Sequence, residues 1–241
     1  MTINASEDAP LVRSLLALTV VTGLIDAVSF LGLGHIFTAN MTGNVIFLAF
    51  ALGGAQGLSA IRSVTALFVF ALGGLLGGKI ANRRPRAPAG LLLVATNVEC
   101  VLLTLAVGVT VFAPAALPSA RAYAVIACTA FAMGLRNAIV RRLAVPDLTT
   151  TVLTLTVTGL AADSSLAGGE GTRSGRRALS ILAMFVGALA GALLLRGFGM
   201  PVPLAVAALL VAVTSFHLYS TSRTRSLDCE AAPTTKPSIA S

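Results

Sequence analysis

The chain has 241 residues, 56% of them hydrophobic and 11% charged, with a mean hydropathy of +0.91. A water-soluble domain is about 45–50% apolar and about 25% charged, so this composition excludes a soluble globular protein and calls for lipid as the solvent. The net charge of +8 does not make a nucleic-acid binder: the basic residues form short clusters between apolar runs, and 5% aromatics without Trp leave little for base stacking.

Residues 1–11 are polar and lack the basic start of a signal peptide, so the apolar run behind them is expected to be a retained first span. Apolar segments are expected at 12–33, 38–56, 61–80, 88–112, 120–141, 148–163, 177–195 and 201–219. Breakers separate them, among them Gly53-Gly54, Pro85 and Pro88, Pro114 and Pro118, Pro146, Gly168-Gly169, and Pro201. The membrane domain is thus expected over 12–219, and the Ser-, Thr- and Pro-rich stretch 220–241 as a disordered cytosolic tail.

Charge decides how many segments cross. If all eight cross, nine Lys and Arg fall on the cytosolic side and seven on the other, almost no bias. If 38–56 and 148–163 each enter and leave on one side, thirteen are cytosolic and only Arg62, Arg121 and Arg196 lie outside. The expected fold is therefore all-α and polytopic, with six full crossings, two short re-entrant or interrupted helices, and both termini in the cytosol.

The second half echoes the first. Gly23-Leu24-Ile25-Asp26-Ala27 matches Gly134-Leu135-Arg136-Asn137-Ala138, Thr42-Gly43 matches Thr158-Gly159, and Gly73 and Gly77 match Gly187 and Gly191. With three crossings per half, 12–112 and 120–219 form an inverted repeat, an arrangement of many secondary transporters. The alternative is a duplication kept for packing alone.

Several side chains are out of place in lipid. Asp26 sits in the first span, where a carboxylate costs roughly 2.5–3.5 kcal/mol on insertion scales. It is expected to face a cavity, meet a partner or carry a proton. Asn137 stands at its repeat position with Arg136 beside it, so an Asp26–Arg136 ion pair is one expectation, and Arg136 snorkelling towards Arg141 and Arg142 is the other. Glu99 in 88–112 is either a proton or cation site or a residue that ties helices together. Thr38, Asn40, Thr42 and Asn44 offer neutral polar groups to a small substrate or to a broken helix end. In the second half Thr151, Thr154 and Thr158 share one helical face and are the expected polar lining. The GxxxG pairs Gly73/Gly77, Gly74/Gly78 and Gly187/Gly191 are read first as internal helix contacts and second as self-association faces.

No enzyme is expected. The chain holds only two His, and its Cys100, Cys128 and Cys229 form no CxxC; no metal cluster, phosphate loop or nucleophile elbow is present, and no cofactor or metal is expected. The expected partners are membrane lipid and an unidentified small molecule.

The run Gly23 to Leu31 followed by Phe37-Thr38-Ala39-Asn40-Met41-Thr42-Gly43-Asn44 closely resembles the YoaK-like family of uncharacterised bacterial membrane proteins, with Gly134 to Ala138 and Thr149 to Gly159 as further points of likeness over roughly 12–220. Such families often carry Gln where this chain has Arg136. The resemblance implies a multi-spanning inner-membrane protein and brings no catalytic residues. The expected function is that of a permease for a small solute, with protons coupled through Asp26 or Glu99; a non-transporting scaffold or sensor is the alternative.

Overall fold

A computed structural model describes residues 9–83, 88–113, 118–143, 153–164, 168 and 174–231, with side chains to Thr224. Among these residues the chain is all-helical: α1 Ala9–Gly32, α2 Met41–Leu52, α3 Ala60–Arg83, α4 Pro88–Phe112, α5 Pro118–Leu143, α6 Leu153–Ala162, α7 Ser174–Phe198 and α8 Pro201–Ala231. Pro88, Pro118 and Pro201 open their helices, and Pro10 sits in the first turn of α1. There the missing N–H has no intrahelical partner to lose.

Six helices, α1, α3, α4, α5, α7 and α8, are long and apolar enough to cross a membrane. At 24–26 residues in their spanning parts they measure about 36–39 Å, against a hydrocarbon core of about 30 Å. The 12-residue α2 and 10-residue α6 reach about 18 and 15 Å, too short to cross that core.

Two sequence boundaries move. The helix of α1 begins at Ala9, inside the stretch expected to be a polar lead-in. The helix of α8 continues to Ala231, so the disordered tail expected from Ser220 is instead helical over its first part. Within this extension the hydroxyls are satisfied by the preceding turn: Thr221 Oγ1 donates to His217 O at 2.9 Å and Thr224 Oγ1 to Ser220 O at 3.0 Å. Residues 232–241 lie outside those described.

Contacts settle the helix directions. Gly187 lies on the Val20 carbonyl and Gly191 on that of Leu24, so α1 and α7 run parallel. Gly73 lies on the Phe131 carbonyl and Gly77 on that of Leu135, so α3 and α5 also run parallel. Ser215 bonds Asn97 while Ala208 accepts from Cys100, so α4 and α8 are antiparallel. Arg62 Nη1 donates to Leu33 O at 3.1 Å, which joins the start of α3 to the end of α1.

It follows that α3, α5 and α8 end where α1, α4 and α7 begin. Arg13, Lys79, Arg83, Arg141, Arg142, Arg176, Arg177 and Arg223 gather at this basic end, and Arg62, Arg121 and Arg196 at the other. The chain leaves α1 and enters α3 at one end, with α2 between, and leaves α5 and enters α7 at the opposite end, with α6 between. Eight successive crossings would separate Leu33 from Arg62 by the width of the membrane. Single cysteines at Lys79 and Arg176, in a background lacking Cys100, Cys128 and Cys229, are expected to react with an impermeant maleimide from the same side of right-side-out or inverted vesicles. Labelling from opposite sides would restore the eight-crossing path.

The spanning windows of α1 and α5 are 67% and 61% buried, those of α3 and α7 only 17%. The first two are the centre of the bundle, and the others present apolar faces such as Phe68, Leu75, Phe185 and Leu193 outwards. Lipid, which solvates such faces, removes the need to hide them.

Candidate functional site

Arg136 is fully buried at the centre of the bundle. Its position follows from close helix packing: Gly134, two residues earlier, rests on the Phe70 carbonyl, where any side chain would collide with backbone. The chain on either side is thereby held tight against α3, and the long Arg136 side chain turns into the core between α1 and α4.

There it meets Glu99. Arg136 Nη1 donates to Glu99 Oε1 at 2.6 Å, and both side chains are 0% exposed. Arg136 Nη2 donates to Thr22 Oγ1 at 2.5 Å and approaches Met133 Sδ at 3.2 Å. Thr22 can accept because its own proton goes to Leu18 O at 2.9 Å. The expected Asp26–Arg136 bond is therefore corrected: the structure pairs Arg136 with Glu99. In the repeat Asp26 matches Asn137 and Arg136 is only its neighbour, and neighbouring repeat positions do not put two side chains on facing sides. The snorkelling alternative falls as well, since the guanidinium is held in the core.

The pair is incompletely satisfied. Glu99 Oε2 and Arg136 Nε are buried without a hydrogen-bond partner among the described residues. Thr22 and Glu99 lie near the midpoints of α1 and α4, so these groups sit at mid-membrane depth, where polar atoms without partners are expensive.

Asp26 lies one helical turn beyond Thr22 on the same face of α1. It is 7% exposed, and its Oδ1 accepts from the backbone N–H of Ala39 at 3.3 Å. Asp26 thus anchors the entry to α2. The Asn-Met-Thr-Gly-Asn run is organised around that anchor. Asn44 grips the backbone of Phe37 from both sides, accepting from its N–H at 2.8 Å and donating to its carbonyl at 2.5 Å. Asn40 caps α2 by accepting from Gly43 N at 3.4 Å. Phe37 stacks between Phe30 and Phe47. Thr38 Oγ1 is buried and makes no bond among the described residues, while Asn40 and Thr42 are exposed. Of the two roles expected for these residues, the helix-end role is filled by Asn40 and Asn44.

The second-half lining is placed differently from expectation. Thr151 lies outside the described residues. Thr154 and Thr158 do share a face, but it is exposed, and the buried residue is Thr156 between them. The short α6 packs on α7 through that opposite side, and which side of a ten-residue helix meets its neighbour is not written in threonine spacing. Asn137 points away from the Arg136 cluster and lines a groove between α3 and α5.

Glu99, Arg136, Thr22 and Asp26 therefore form one buried polar file across α4, α5 and α1. Sequence reasoning missed Thr22. A threonine in a helix is ordinarily satisfied by its own backbone, as Thr22 is, and nothing local marks its second bond. It also missed Ser215, which donates to Asn97 Oδ1 at 2.8 Å and ties α8 to α4. No group of three or more His, Cys, Asp or Glu suited to a metal occurs among the described residues.

The family described as "Protein of unknown function (DUF1275)" matches residues 14–216. The UPF0700 transmembrane protein YoaK of Bacillus subtilis (strain 168) is 32% identical over 157 residues, a stretch covering 63% of this chain and 65% of that protein, just under two thirds of its length. These matches bear out the resemblance carried by the runs at 23–31 and 37–44. No solved structure matches the chain.

Proposed function

The chain belongs to the DUF1275 family of proteins of unknown function and is a multi-pass protein of the bacterial inner membrane; from that premise we propose that it is a permease for a small solute, coupled to protons through Asp26 or Glu99. The observation that carries this reading is the Glu99–Arg136 pair, wholly buried at mid-depth with Glu99 Oε2 and Arg136 Nε unpartnered. Ionisable groups inside a membrane usually mark ion and substrate pathways, because packing alone is cheaper with apolar residues. Termini facing the cytosol complete the reading, since the basic end then obeys the positive-inside bias.

An inverted repeat supports the same reading. Gly23 of α1 rests on the Met184 carbonyl of α7, and Gly134 of α5 rests on the Phe70 carbonyl of α3. Each of these partners stands at the other's repeat position. Gly191 meets Leu24 and Ala27, as Gly77 meets Leu135 and Ala138. Each half thus completes its central helix with a glycine helix from the other half. Two interlocked halves of this kind can rock about a shared midplane site.

The test is reconstitution in proteoliposomes with an entrapped pH dye and a panel of small solutes added outside. A solute that acidifies the lumen with wild-type protein, and fails to do so with Asp26→Asn or Glu99→Gln, is the expected result. Solute entry without proton movement, unchanged in both variants, would remove the coupling. The scaffold reading takes over if no solute on the panel enters faster than into empty liposomes.

A further inference from the structure

The groove lined by Asn137 takes no part in the buried file. It lies between α3 and α5, opens at the basic end and has a volume of about 1010 Å³. The two helices touch along Gly73 and Gly77 and part along the next row, Gly74 and Gly78. A side chain at Gly78 would meet nothing within 4 Å, and one at Gly74 only the Gly134 carbonyl at 3.8 Å. Lys79 from α3 and Arg141 and Arg142 from α5 converge on the mouth, and among the described residues no Asp or Glu lines it. Arg142 is steadied there by a hydrogen bond to Asn82 Oδ1.

Three features belong together. The cations sit at the helix ends, the depth of a headgroup. The trough behind them runs inward from Arg142 to Gly134, about 12 Å of helix, and its walls include Phe70 and Leu75. Leu75 is 63% exposed and Leu76 42%, so this face is one that lipid solvates. A positive-inside signal needs only a charge count on one side of the membrane; it does not need cations from two helices to converge on a cavity. A dissolved anion would use the mouth and leave the apolar trough empty.

We propose that the α3–α5 groove binds an anionic phospholipid, its phosphate held by Lys79, Arg141 and Arg142 and an acyl chain laid along Gly74 and Gly78. Guanidinium and ammonium groups both bind phosphate strongly, and basic pockets between spanning helices hold acidic headgroups elsewhere. This site is independent of whether the protein transports.

Native mass spectrometry of the full-length protein released from detergent, with palmitoyl-oleoyl phosphatidylglycerol or the matching phosphatidylcholine added, tests it. Wild type is expected to retain phosphatidylglycerol over phosphatidylcholine by about tenfold or more, as expected of three cations near a headgroup. The triple variant Lys79→Ala/Arg141→Ala/Arg142→Ala is expected to lose that preference. Gly78→Leu keeps every charge, fills the trough and is expected to lose retention too, and it decides the matter if the triple variant does not fold. Equal retention of the two lipids by wild type, or a preference unchanged in Gly78→Leu, overturns the proposal. Displacement of phosphatidylglycerol by millimolar inorganic phosphate would also overturn it, assigning the mouth to a dissolved anion.

Discussion

Arg136→Met is expected to destabilise the protein by about 3–5 kcal/mol, because it strands the Glu99 carboxylate in the core without its counter-charge. Glu99→Leu alone is expected to do comparable damage by stranding the guanidinium. The double variant Glu99→Leu/Arg136→Met is expected to regain most of the loss, since apolar residues of similar size often replace a buried pair without penalty. Thr22 stays satisfied in every variant through its bond to Leu18 O. Thermal unfolding in detergent micelles reads the cycle, and single losses that simply add in the double variant would dissolve the pair. A charge swap between Asp26 and Arg136 is expected to rescue nothing, because Arg136 is bonded to Glu99 and Thr22 and not to Asp26. A double variant that folds like wild type but moves no solute would assign the pair to function.

The second large effect concerns the glycines at the helix crossings. Gly187→Ala and Gly134→Ala are each expected to cost about 1–3 kcal/mol, the range for overpacking a tight interior. Each new methyl would press on a backbone carbonyl, that of Val20 or Phe70, and backbone cannot turn aside as a side chain can. Leu at either position is expected to prevent folding. Gly78→Ala is the control. Nothing lies within 4 Å of it, so a change within about 0.5 kcal/mol is expected. Helix propensity alone would raise the melting temperature slightly at both positions, because Ala is the better helix former, so equal losses at Gly78 and Gly187 would rule out the crossing as the cause. The pair Gly74/Gly78 has the same spacing as Gly73/Gly77, yet Gly74 only skirts Gly134 and Gly78 meets nothing, so spacing alone did not reveal which glycines pack.

Much of the candidate site was legible one residue at a time. Asp26, Glu99 and Arg136 stood out because charged groups are rare in apolar runs, and all three are buried. Their pairing was not legible. Glu99 and Arg136 are joined across two helices, and helix periodicity says which residues share a face but not which faces meet. The roles within the 37–44 run were also open. Neutral amides and hydroxyls suit a substrate and a helix end equally, and the Asn44 grip on Phe37 became visible only once the chain turned back on itself.

By itself the sequence determined that this is a helical membrane protein with two elements too short to span, and its charge distribution put the basic clusters at one end. Hydropathy and charge counts are sums along a segment, and lipid reads segments, so those properties survive without knowledge of neighbours. The tertiary structure alone decided that Arg136 answers Glu99 and Thr22, that Asp26 holds the entry to α2, and that one glycine row packs while the next opens into a groove. Those outcomes depend on the rotation of each helix about its own axis, which is set by contact with residues far away in the chain.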